Sequence, residues 1–207
     1  MNDKDSKWQF HLTGGSLCLD FANTVSWRRG LDPIERLKSY SDLVSFSRQA
    51  SVVEASEAQR LLEAAARQPR RATRALKDAL DLRALIDRIF NAVVEGSPAS
   101  RADLNALNAH LVDFFARMRI VGDRPSYAWD DGRDAMTLDR MLPPVVRSAA
   151  ELLTSPELSR LRRCGAANCG WLFVDLSPNQ RRRWCDMRVC GNRAKARRHY
   201  RKVKRLD

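Results

Sequence analysis

The chain has 207 residues, 44% hydrophobic and 30% charged, which excludes a disordered polar chain and allows one medium core plus a small appended unit. No apolar run approaches the roughly 18 residues that cross a bilayer, and the opening MNDKDSKWQF lacks the apolar centre of a signal peptide, so the expectation is a cytoplasmic protein without a membrane partner. The net charge is +12 and its excess sits at one end: from Arg160 onward 15 Lys and Arg face three acids, while the preceding residues balance 22 bases with 22 acids.

In chain order, Gly14-Gly15 is a turn signal, and the LCLDFANTV that follows is read as a helix with Leu17, Phe21, Thr24 and Val25 on one face. Leu17, Leu19 and Phe21 also alternate as in a strand, so the period alone leaves both forms open. Cys18, alone in this apolar stretch, reads as a buried structural thiol. Asp32-Pro33-Ile34-Glu35 combines an Asp N-cap, Pro at the first position and Glu at the third, predicting a helix to about Arg48 with Leu37, Tyr40, Leu43, Val44 and Phe46 as the inward candidates.

Ser56 with Gln59 opens the next helix, which stops before Pro69. The longest helix is expected over 73–95, where Leu76, Ala79, Leu80, Ile86, Ile89, Phe90, Val93 and Val94 recur at three and four, with Gly96 ending it. Ser100-x-x-Asp103 starts another with Leu104, Leu107, Leu111, Phe114 and Phe115 inward. RMRIV and SYAW bracket a polar turn as a β-hairpin. A last helix over 137–154 contains Pro143-Pro144 and is expected to kink or split there. Ser155-Pro156-Glu157 then caps a short linking helix.

The basic end holds Cys164 and Cys169, then Cys185 and Cys190: two pairs, each separated by four residues. In a reducing compartment such clusters are metal ligands rather than disulfides, and four converging thiolates suit a tetrahedral Zn²⁺. Gly170 and Gly191 follow the second cysteine of each pair, leaving the backbone free to turn its amides toward sulfur. Between the pairs, WLFVD suits a short strand. Ser177-Pro178-Asn179-Gln180 repeats the capping pattern and predicts a helix over about 178–186, with Arg181, Arg182 and Arg183 on one arc and Trp184 inward. Asn192 is read as the cap of a final helix to about Arg205, docking through Ala196, Tyr200 and Val203.

Cys-Gly-Asn-Arg at 190–193, with Arg-Arg-Trp-Cys at 182–185 before it and Lys195, Tyr200 and Arg201 after it, resembles the CGNR zinc-finger family over about 160–204. GGSLCLDFANT at 14–24 resembles the N-terminal domain that accompanies such fingers in bacterial proteins, a stress-induced transcription regulator of ABATE type. The resemblance implies structural zinc and DNA binding. The expected architecture is mainly α (α+β): a helical unit over 1–158 with a small hairpin, then a treble-clef-like four-cysteine finger over 159–207 ending in a basic helix.

A neutral unit joined to a basic one is the electrostatic footprint of nucleic-acid binding. The candidate contacts to duplex DNA are Arg181, Arg182, Arg183, Asn192, Arg193, Lys195, Arg197, Arg198, Arg201, Lys202 and Lys204. RNA is the nearer alternative, since charge does not separate the two; exposure of Trp184 or Tyr200 beside the arginines shifts weight toward RNA or single strands. In the first unit, Asp20, Asn23, Thr24, Trp27 and Arg28 are polar or amphipathic groups set near apolar sequence and are the candidates for a small-molecule effector site. The opposing reading of the same residues is that they satisfy local backbone. A homodimer is expected because one small finger makes a short footprint. An enzyme of unknown type is the remaining alternative: His11, His110 and His199 lie far apart, no phosphate-loop, His-Glu-x-x-His or Gly-x-Ser-x-Gly motif is present, and no catalytic residue is assigned.

Overall fold

The structure is a computed structural model that describes residues 8–122, 125–130 and 137–203. It is mainly helical with small β elements. The first helix, α1 (Leu17–Ala22), has only six residues, too few to persist in water without tertiary packing. Packing supplies it: Cys18, Leu19 and Phe21 are 0% exposed, because α1 lies between α4 (Pro69–Val94) and α6 (Leu142–Thr154). Gly14 lets the preceding turn approach, since a Cβ there would sit 2.9 Å from Leu19 Cβ. The Cys18 thiol is pushed up to about 11 by burial, as an inert structural thiol should be.

The helix expected from Asp32 does not start there. Ile34–Glu35 is strand β2, paired antiparallel with β1 (Val25–Ser26). The Glu35 carboxylate is taken by Arg83 of α4, at 2.7 and 2.5 Å, rather than by a helix N-terminus. The helix proper, α2 (Tyr40–Gln49), begins five residues later at a true capping box: Ser39 Oγ accepts from the Asp42 amide, and Asp42 accepts from the Ser39 amide. Its inward residues Tyr40, Leu43 and Val44 are buried as expected, as is Leu37 ahead of it.

α3 (Ala55–Arg67) ends before Pro69, which opens α4 from its first turn. α4 is the scaffold, 26 residues long and so about 39 Å. α5 (Arg101–Phe115) is capped by Ser100. Of its expected inward residues, Leu107 and Phe114 are buried, whereas Leu104 and Phe115 face outward. β3 (Arg119–Val121) and β4 (Ala128–Asp130) form the expected hairpin, with Ile120 opposite Trp129. Pro143-Pro144 does not split α6. The two prolines fall in its first turn, where a missing N–H costs no intrahelical bond.

A 3-10 turn, Pro156–Arg160, leads into β5 (Leu161–Arg163), which pairs antiparallel with β6 (Leu172–Val174). β6 alternates as a strand must. Leu172 and Val174 enter the core of the helical unit, while Phe173 turns to the cysteines. Its outer edge is covered by the start of the chain: the Val174 amide donates to Gly14 O at 2.8 Å, and Leu172 exchanges two hydrogen bonds with the Asn23 side chain. The finger's hairpin is therefore built into the main core and is not tethered by a free linker. No helix among the described residues is long and apolar enough to cross a membrane.

Candidate zinc centre and nucleic-acid interface

The four finger cysteines come together from two loops. Cys164 follows β5 and Cys169 precedes β6, and their turn is closed by the Cys164 amide to Trp171 O at 2.8 Å and the Cys169 amide to Ala166 O at 3.0 Å. Gly170 leaves this turn at φ +75°, where an added Cβ would lie 2.8 Å from Arg29 Cγ, so both conformation and space require glycine. Cys190 lies in a π-helical turn, Met187–Gly191, that Asp186 caps by accepting from the Arg188 amide at 2.6 Å. Gly191 has no positive φ. A Cβ there would lie close to the Met187 thioether, an exposed and movable side chain, so space does not by itself require glycine.

The segment between the pairs is not the expected helix over 178–186. Ser177 does not cap: its hydroxyl and amide go to Asp175, at 2.5 and 3.0 Å, and Gln180 has φ +49°. Asp175 is wholly buried and also accepts the Arg182 amide at 2.8 Å. Burial would raise its pKa, but the bonds from Ser177 and Arg182 hold it below the usual carboxylate range. Arg182 is absorbed as well. Its guanidinium lies over the Phe173 ring at 4.3 Å, and donates to Thr13 O at 2.9 Å, Trp184 O at 3.0 Å and Cys185 O. It positions Cys185, and these bonds engage Nε and Nη2 of its guanidinium.

All four thiols are buried, with sulfurs within 4.8 Å of one another. Cys169 and Cys185 are 3.6 Å apart, and Cys185 and Cys190 3.7 Å. Four thiolates about 2.3 Å from one Zn²⁺ in a tetrahedron lie about 3.8 Å from each other, so the donor set fits the ion. Hydrogen bonds among the thiols hold Cys164 low and push Cys169 and Cys185 high; a dication is what allows all four to be thiolates together. Four sulfur ligands leave no open position for substrate or water, so the zinc is structural.

The π-helical turn runs directly into α7 (Asn192–Val203). Asn192 does not cap α7; Asp186 has already started the turn, and the Asn192 amide group donates back to Arg188 O at 3.1 Å. Nor does α7 dock along Ala196 and Tyr200. Both are exposed, Tyr200 at 71%, because the helix leaves the finger after its first turn. Arg193, Arg197 and Arg198 converge on an open groove of about 450 Å³, walled opposite by the Gly165–Asn168 loop, Trp184 and Trp27. Arg193 stacks over Trp27 at 4.1 Å, and Arg183 lies 5.4 Å from the Trp184 ring. Arg181, Arg183, Lys195, Arg197 and Arg198 are exposed. The side chains of Arg201 and Lys202, and all of Lys204, lie outside the described residues.

The five candidate effector residues do not surround one cavity. Asn23 bridges to β6 as above. Thr24 Oγ donates to Phe21 O at 2.8 Å and accepts from Arg83 at 3.0 Å. Arg28 pairs with Asp87 at 2.8 Å and donates to Ala22 O; Asp87 in turn holds Asn91, which receives Arg163 from β5 at 2.6 Å. Trp27 alone of the five faces open space. The polar residues of LCLDFANT thus knit α1 to α4 and to the finger, through tertiary partners invisible in the local sequence.

Asp20 accepts the Gly14 amide at 2.7 Å, yet burial raises its pKa from 3.8 to about 6. A carboxyl raised in the folded state contributes stability that is fully present below its unfolded pKa and lost as pH rises through about 6. Asp20→Asn keeps an acceptor for Gly14 and removes this loss. Its stability gain over the parent chain, from urea melts, should grow from pH 4 to pH 6 and level off near pH 7 at no more than about 3 kcal/mol. A gain independent of pH would show that Asp20 does not titrate in this window.

A helical unit carrying a closed four-thiolate cluster and a basic terminal helix defines a zinc-finger protein. Residues 15–156 match the ABATE family, described as "Putative stress-induced transcription regulator", and the chain belongs to that family. Residues 160–203 match the CGNR zinc finger. No curated protein matches the chain. Both families are regulator or zinc-finger types rather than enzyme types.

Proposed function

We propose that the protein is a zinc-dependent transcriptional regulator that binds duplex DNA through α7 and the groove beside it. The observation that carries this reading is the convergence of Arg193, Arg197 and Arg198 on one groove faced by the Gly165–Asn168 loop. Arg193 and Arg197 lie four apart on α7, as do Ala194 and Arg198, so one face of the helix presents three guanidiniums to one strand of phosphates. Arginine's planar fork also suits guanine edges. Zinc sets the angle between loop and helix, and Asp175 with Arg182 fixes the segment joining the two cysteine pairs. In this reading 1–158 is the regulatory unit and 159–207 the binding unit. A dimer supplies the second half-site that a single finger cannot reach.

The test is a salt titration of binding to a labelled genomic duplex, with unlabelled duplex DNA and RNA as competitors. Contact with about six to eight phosphates gives a log–log slope of roughly −5 to −7. Arg197→Ala should weaken binding about three- to tenfold at fixed salt and make the slope shallower by about one. Unchanged affinity at low salt would remove Arg197 from the interface. One observation favours a second reading: Tyr200 is 71% exposed beside the arginines of α7, and Trp184 is half-buried beside Arg183. Exposed rings of this kind stack on unpaired bases. RNA or single-stranded DNA winning the competition would make that the function of the same groove.

A further inference from the structure

A second cavity lies on the other side of Trp27, at the seam between the helical unit and the finger. It has a volume of about 240 Å³ and is walled by Trp8, His11, Trp27 and Trp171 over the zinc ligands Cys169, Cys185 and Cys190, with Arg36 and Arg193 also lining it. Three of the chain's five tryptophans meet here, coming from the N-terminal segment, the loop after β1 and the approach to β6. Trp171 is fixed by its indole N–H to Val25 O at 2.7 Å. Trp27 is held at φ +55°, a conformation that a bulky side chain rarely adopts. That conformation places one indole between two cavities, since Trp27 and Arg193 line both this one and the α7 groove.

The charges at the mouth select the ligand. Arg36 lies 3.5 Å over the Trp8 ring and spends its Nε on Ser26 Oγ at 3.1 Å. Arg193 lies over Trp27, and no hydrogen bond or ion pair holds its guanidinium among the described residues. The acid on the wall, Asp186, accepts the Arg188 amide at Oδ1, at 2.6 Å, and the same oxygen lies 3.9 Å from the Arg188 guanidinium. Aromatic walls with two cations at the rim fit a flat ring bearing a negative group. The volume is below the about 300–1,000 Å³ of drug-sized sites, which limits the ring system to one or two rings.

We propose that this cavity is an effector site for a small planar aromatic carboxylate, whose ring lies among Trp8, Trp27 and Trp171 and whose carboxylate pairs with Arg36 and Arg193. The site stands on its own geometry, whereas its regulatory consequence rests on the nucleic-acid reading above. A carboxylate that draws Arg193 into the seam withdraws it from the α7 groove, so ligand and nucleic acid weaken each other by the same factor.

The experiment is isothermal titration of the zinc-loaded full-length protein with benzoate and indole-3-acetate, using benzylamine and indole as cationic and neutral controls. Saturable one-to-one binding of the acids, at least tenfold tighter than benzylamine, is the expected result. Arg36→Gln and, independently, the surface variant Arg193→Gln should each weaken the acids five- to tenfold while leaving indole within about twofold. Absence of saturable heat with either acid, equal affinity for benzylamine, or acid binding untouched in both variants would overturn the site. A saturating acid should then weaken nucleic-acid binding about fivefold in the parent chain; an acid that binds without doing so overturns the coupling. Because the titration contains no nucleic acid, failure of the site and failure of the nucleic-acid reading are told apart.

Discussion

Replacing Cys185 with Ser abolishes stoichiometric zinc binding and lowers the melting temperature of the whole chain, not of the finger alone. The first half follows from the cluster itself. Cys185 lies within 3.7 Å of two other cysteine sulfurs, and a hydroxyl is a poor substitute for a thiolate on Zn²⁺. The second half follows from where the finger's strands go. Leu161, Leu172 and Val174 are part of the same buried cluster as the helices, and full burial of each is worth about 1.5–3 kcal/mol. If losing the metal frees the hairpin, the helical unit loses a sum of about 5 kcal/mol or more out of a typical 5–15. For a chain of this size each kcal/mol moves the midpoint by about 2–4 °C, so a fall of about 10–20 °C is expected, in one transition. Metal analysis with calorimetry of the parent chain, the chelated chain and Cys185→Ser measures it. A chelated chain with unchanged midpoint and protease resistance would mean that zinc has no structural role.

That continuity between finger and core separates what was legible in the sequence from what was not. The cysteine pairs could be read because metal geometry imposes spacing on a short segment; all four ligand candidates and the β5–β6 turn lie within 30 residues. Caps could be read where the partner is three residues away, as at Ser100 and Asp103. They misled where a distant group competed. Asp32-Pro33-Ile34-Glu35 has the pattern of a helix start, but Arg83, 48 residues on, takes Glu35 into a strand pair. Ser177-Pro178-Asn179-Gln180 has it too, but Asp175 captures Ser177 first. Tyr200 shows the opposite failure: Ala196 and Tyr200 share a helical period, yet both are exposed, and periodicity alone cannot say whether a face is buried. The aromatic cavity is not legible in the sequence because Trp8, Trp27 and Trp171 are far apart in it; Trp27 alone stands among the effector candidates, with nothing local to point to the other two.

A second large effect is expected at Asn23, which is 4% exposed and makes both of its bonds to one residue of β6. Its Oδ1 accepts the Leu172 amide at 3.0 Å, and its Nδ2 donates to Leu172 O at 2.8 Å. The side chain thus copies the pairing that a neighbouring strand would offer, and closes a sheet edge inside the seam where water cannot reach. Asn23→Ala leaves one buried donor and one buried acceptor without partners, at about 1–3 kcal/mol each, so a loss of about 2–6 kcal/mol is expected. Asn23→Asp separates the two bonds. An ionised carboxylate still accepts from the amide but faces Leu172 O with no proton to give, whereas the protonated acid can satisfy both. Its deficit relative to the parent chain should therefore be largest at neutral pH and shrink as the solution is acidified. Urea melts of the two variants at pH 7 and pH 4.5 measure both effects. A loss under about 0.5 kcal/mol for Asn23→Ala would place the cohesion of the seam in its apolar contacts instead, and a deficit of Asn23→Asp that ignores pH would show that the carbonyl of Leu172 finds another donor.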